Sequence, residues 1–203
     1  MVGPTLGYPT TESRLEVSGR ILPPSQRRDR HAPETAFTVV PFVDLPGVSQ
    51  NPMLFVNHLK SYNHNVSQEV DQTFFVICED ESVRRVVFYC ADSPGVVDRA
   101  IQKLVPLGTP DGAKVRAVVM FAESWSNDTP EVVARMERGE NFNLEGRPDT
   151  FDILQIILDA PNVQGMWTNK LVGTIPNRTL GAWEEMKEMR FKRFANYWPE
   201  SRN

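Results

Sequence analysis

Residues 151–158, FDILQIIL, are apolar on both alternating faces: Phe151, Ile153 and Ile157 on one, Leu154, Ile156 and Leu158 on the other. Side chains of a strand alternate between faces, so this run leaves apolar surface on each side of a sheet. A strand of that kind must be covered on both sides. The run VRAVVMFA at 115–122 is also rich in apolar residues. Any fold for this chain has to bury the middle of a sheet between two layers, and a sheet with helices on both faces is the economical solution.

The remaining segments supply the layers. FTVVPFV (37–43) is strand-like but holds Pro41, which restricts it to an edge. Asn51-Pro52 opens a helix over about 52–70, with Phe55, Leu59, Tyr62 and Val66 at helical spacing. Two β-rich runs, 73–79 and 84–91, flank an acidic turn and read as a hairpin. Ser93-Pro94 starts a second helix carrying Val97, Ala100, Ile101 and Leu104, with Gly108 beyond its end. Strand 115–122 follows a Pro-Asp-Gly turn, and strand–helix–strand at this length favours a right-handed parallel crossover. Thr129-Pro130 opens a short third helix that Gly139 ends, and the polar loop ENFNLEGRPD leads into strand 151–158. Pro161-Asn162 turns into strand 164–172, and Thr179 caps a last helix over 180–197. The expected class is α/β (α+β): a mixed sheet of about five to six strands with helices on both faces. The order is α-β-β-α-β-α-β-β-α, in one domain over 37–203.

Residues 1–36 read as an extended arm. Prolines 4, 9, 23, 24 and 33 interrupt it, and five arginines stand against four acids. Arg27, Arg28 and Arg30 cluster beside His31. Such a segment cannot bury enough apolar surface to offset its own ordering entropy. The N-terminus lacks a charged n-region and an apolar h-region, and no apolar run approaches the roughly 18 residues of a bilayer span. The expectation is a cytoplasmic protein, neither secreted nor membrane-bound, or a virion component if it is a phage structural protein. Cys78 and Cys90 make no disulfide framework, and hairpin register holds them apart. The N-x-S/T triplets at Asn65, Asn127 and Asn177 read as turn and cap residues.

Several chemistries lose their basis. The chain has no phosphate-cradling glycine loop, no C-x-x-C, no H-E-x-x-H and no G-x-S-x-G elbow. His58 and His64 lie six apart, about 240° around a helix, and cannot share a metal there. Cys90 ends a strand before a helix start, a setting that lowers a thiol pKa. No C-x5-R loop follows it, and a core thiol is the simpler reading. The carboxylates are the alternative. Glu123 ends one strand, and Asp152 and Asp159 bracket another. Nuclease-type sites place acids at strand ends to hold divalent metals. Asp152 and Asp159 are about 23 Å apart along a strand, so Glu123 can join only one of them. A metal-dependent hydrolase or nuclease would use Glu123, Asp149, Asp152 and Lys170. Its pattern is broken, because Lys170 follows Thr168-Asn169 with no acid.

The stronger candidate surface is C-terminal. Trp183, Met186, Phe194, Tyr197 and Trp198 form an aromatic stripe, with Lys187, Arg190, Lys192 and Arg193 in the second half of the expected helix. Aromatics and arginine anchor protein interfaces. The net charge of −4 disfavours nucleic acid as partner. The strands VVMFAESW, ILQIILDA and GMWTNKLV, with LGAWEE and RFANYWPE after them, resemble a group of uncharacterised bacterial and phage proteins over residues 118–203. That resemblance implies a phage or bacterial accessory protein and carries no chemistry. The sequence reading is a non-enzymatic interaction or assembly module with no cofactor and no metal. It would bind a protein partner, or itself, through Arg27, Arg28, Arg30, Arg190, Arg193, Tyr197 and Trp198.

Overall fold

A computed structural model describes residues 37–62, 64–88, 94–138 and 149–186, together with Trp198. The arm at 1–36, Cys90, and the aromatic and basic residues from Lys187 to Tyr197 lie outside the described residues.

The elements are β1 (Phe37–Asp44), α1 (Met53–Ser61), β2 (Thr73–Cys78), β3 (Ser82–Phe88), α2 (Pro94–Leu107), β4 (Val115–Ser126), α3 (Pro130–Glu137), β5 (Phe151–Ala160), β6 (Val163–Val172) and β7 (Thr179–Glu185). The strands form one seven-stranded sheet in the order β1-β3-β2-β4-β5-β6-β7. Every neighbouring pair is antiparallel. This corrects the expected mixed sheet of five to six strands in a helix-rich α/β domain.

Two misreadings account for the difference. The first is the β3–α2–β4 unit. β3 and β4 both run antiparallel to β2, so they are parallel to each other, but β2 lies between them. The crossover therefore skips one strand and adds no parallel ladder. The second is the expected last helix, whose first turns are β7. Leu180 pairs with Leu171 and Trp183 with Asn169: three residues on β7 span two on β6. That irregularity is a bulge, and it turns Leu180 and Trp183 to the same side, where both pack on the core. A spacing of three on one face imitates helical periodicity.

The doubly apolar strands behave as their pattern requires. Odd-numbered residues of β4 and even-numbered residues of β5 share one face, where Val119, Phe121, Leu154, Ile156 and Leu158 pack with Phe55, Val56 and Leu59 of α1. On the opposite face Val118, Met120 and Ile157 pack with Val97, Ile101, Leu104 and Val105 of α2. Cys78 is buried and free on that second face.

Local signals set the element ends. α1 stops at Ser61, well short of residue 70, because Tyr62 is extended (φ −73°, ψ 139°) and His64 folds back to bond Leu59 O at 2.7 Å. α2 ends at Gly108, whose φ of +81° places its N–H on Leu104 O; a Cβ there would lie 2.7 Å from Ala113 O. Pro41 sits in β1, at the sheet edge, beside a register shift. Asn65 and Asn127 close Asx turns onto Ser67 and Thr129, as turn residues should.

Gly165 leaves the space that Trp167 fills, under Lys60 Nζ at 4.4 Å from the indole ring. A Cβ at Gly165 would fall 2.4 Å from the Trp167 ring, which is buried and cannot swing clear. Gly165→Ala should therefore cost about 1–3 kcal/mol by overpacking, read from the shift in urea midpoint.

Candidate functional site

The strand-end carboxylates meet an arginine. Glu123 on β4 and Asp152 on β5 stand on the α1 side of the sheet, because Glu123 pairs with Leu154 and Asp152 lies two residues along. Arg178, in the β6–β7 connection, projects its guanidinium between them and is 1% exposed. Nη1 donates to Glu123 Oε1 at 2.5 Å and to Asp152 Oδ2 at 3.3 Å. Nη2 donates to Glu123 Oε2 at 2.9 Å and to Gln68 O at 2.8 Å, and Nε to Val66 O at 3.0 Å. All five guanidinium N–H donors are used. Glu123 Oε2 also accepts the Val70 N–H at 3.0 Å.

Burial pushes the Glu123 carboxyl up, but the Arg178 and Val70 hydrogen bonds outweigh it, and its pKa lies below the ordinary value. Hydrogen bonding to Glu123 raises Arg178. The cluster ties the 64–72 segment and the β6–β7 connection to the sheet. Arg178 itself is missed by a sequence reading: its partners are 26 to 112 residues away, and only the isolated T-I-P-N-R-T turn sequence marks the place.

The other members of the hydrolase set do not join this cluster. Asp149 is exposed ahead of β5. Lys170 pairs with Ile153 and so belongs to the opposite face, where Nζ lies 3.7 Å from the centre of the Phe151 ring. Among the described residues no group of three or more His, Cys, Asp or Glu side chains could hold a metal ion.

A second polar centre occupies the turn end of the sheet. Arg84 donates to Ser82 Oγ at 2.9 Å, Thr109 Oγ1 at 3.1 Å, Asp80 at 2.7 Å and Asp111. It lines an open groove with Glu79, Asp80, Asp111 and Lys114. Its cation is already matched by two carboxylates, which leaves no positive charge to offer an anion.

The third is Asp159. It is 1% exposed on the α2 side of β5, and Gln164 Nε2 donates to Oδ1 at 2.7 Å. Burial pushes its pKa up to about 6, against the pull of the Gln164 hydrogen bond. Trp198, half-buried, packs against the α2-side cluster. Of the expected binding residues it is the one described, and it belongs to the sheet's cover. Arg27, Arg28, Arg30, Arg190, Arg193 and Tyr197 lie outside the described residues.

Comparison with protein-family models, with curated proteins and with solved structures gives no match for this chain. No helix among the described residues is long and apolar enough to cross a membrane.

Proposed function

We propose that this chain is a non-enzymatic interaction or assembly module, phage-encoded, that binds a protein partner or another copy of itself in the cytoplasm or in a virion. The supporting observation is the saturation of Arg178. The acids best placed for chemistry, Glu123 and Asp152, are engaged by a buried guanidinium that has no donor left over. Carboxylates held in this way fasten segments together and offer little to a metal or substrate. Beside them Trp125, paired with Asp152, is 50% exposed, and a protruding Trp at a strand end suits a protein anchor. The arm, with Arg27, Arg28 and Arg30, supplies a second contact element.

Native mass spectrometry of the full chain tests the reading. Discrete multiples of 23.0 kDa, or a stoichiometric co-purified protein, are expected. Reversing Arg27, Arg28 and Arg30 together to Glu should lower the mass of the assembly. A bare monomer, or Mg²⁺-dependent cleavage of DNA or RNA that Glu123→Gln abolishes, would overturn it.

A further inference from the structure

β4 and β6 end, and β2, β5 and β7 begin, at one end of the sheet. Trp125 stands there on the α1 side of β4, two residues beyond Glu123 and opposite Asp152, and is 50% exposed. Val172, which ends β6, and Ile175 in the β6–β7 connection are exposed at the same end. Large apolar side chains left in water together, an indole among them, mark a surface that a partner covers.

The charge around Trp125 selects the occupant. Four segments form this end, residues 64–72, 123–130, 149–152 and 172–179, and they hold six carboxylates: Glu69, Asp71, Glu123, Asp128, Asp149 and Asp152. Against these stands Arg178, which is 1% exposed and already engaged by Glu123 and Asp152. Burial lowers His64, which adds no charge at pH 7. This end therefore carries more negative charge than the net −4 of the whole chain. Glu69, Asp71, Asp128 and Asp149 are exposed, and Asp152, 37% exposed, meets Arg178 through one oxygen at 3.3 Å. Such a field attracts cations. Among the described residues no three acids converge on a metal position, so the patch fits an extended polycation rather than a single ion.

We propose that this end of the sheet docks a basic segment of a protein partner, with an arginine of that segment stacked on the Trp125 indole. The proposal rests on the reading of the chain as an interaction module and names what the module recognises. Arginine suits the place better than lysine: a planar guanidinium stacks on an indole face and keeps its N–H groups free for a neighbouring carboxylate. Asp152, directly across the strand pair from Trp125, supplies that carboxylate. Glu69, Asp71, Asp128 and Asp149 add a longer-range attraction that speeds encounter and weakens with salt. A nucleic acid has the wrong sign. A second copy meeting the first through this same surface would set one acidic end against another.

Fluorescence anisotropy of a fluorescein-labelled arginine–serine repeat peptide, titrated with the full chain, tests this. The peptide should bind at low salt, its lysine counterpart more weakly and its glutamate counterpart not at all, and binding should fall away as salt is raised. Trp125→Ala should lower affinity for the arginine peptide by about 5- to 30-fold and narrow its advantage over the lysine peptide, a difference that bulk charge does not produce. Asp128→Asn with Asp149→Asn keeps Trp125 and should weaken both basic peptides. Asp44→Asn, at the opposite end of the sheet, should leave binding unchanged. An arginine peptide that does not bind, or that binds the wild type and Trp125→Ala equally, would overturn the inference. Native mass spectrometry decides the interaction-module reading separately, so a discrete assembly that ignores the peptide sinks this surface alone.

Discussion

Arg178→Met should destabilise the protein by about 3–5 kcal/mol, the largest loss expected from any single surface-to-core polar change in this chain. The substitution keeps the aliphatic volume but strands Glu123 and Asp152 beside each other without their cation, and leaves Val66 O and Gln68 O without a donor. The cost is that of uncompensated buried polar groups, and it exceeds what the ion pairs contribute in the intact protein. Glu123→Leu combined with Arg178→Met should therefore cost less than the two single losses added together. Urea unfolding at pH 7 reads both. The same cluster gives an acid limb. Glu123 is held below the ordinary carboxylate range, so its contribution is complete above that range and is lost as pH falls through the folded value. Glu123→Gln should flatten that limb.

Asp159→Asn should act in the opposite sense and stabilise the protein above pH 6. The folded pKa is raised, from 3.8 to about 6. Stability tied to this group is then fully present below about pH 4, is lost as pH rises through about 6, and stays lost at higher pH. The difference corresponds to at most about 3 kcal/mol. Asparagine keeps a partner for Gln164 and removes the charge, so a gain of about 1–3 kcal/mol is expected at pH 7.5 and little change at pH 4. Paired urea titrations at the two pH values check it, and an equal effect at both would contradict the sign. Two carboxylates, one part-buried and one buried, thus tilt the pH dependence in opposite directions, because one has a guanidinium for a partner and the other only an amide.

The two polar centres differ in how visible they were beforehand. Glu123 and Asp152 stand out as acids at strand ends, and their proximity is conceivable from strand lengths alone. That they share Arg178 is not, since the arginine arrives from a connection after β6 whose position is fixed only when β6 and β7 pair. Asp159 reads as an ordinary strand-end acid. Its burial follows from its place beside Val118 on the face that α2 covers, which no local pattern specifies.

What the amino-acid sequence determined by itself was local: the edge position of the Pro41 strand, the hairpin around Asp80, the glycine that ends α2 at 108, and the demand of β4 and β5 for cover on both faces. These follow from steric and solvation rules acting over a few residues. Only the tertiary structure decided that β2 lies between β3 and β4, that every strand pair is antiparallel, and that 179–185 pair along β6 with a bulge. A doubly apolar strand demands two covered faces but not the direction of its neighbours. A three-residue apolar spacing fits a helix turn and a bulged strand equally well. The choice between them is made by the unpaired edge of β6, whose backbone N–H and C=O groups are satisfied when that strand is added.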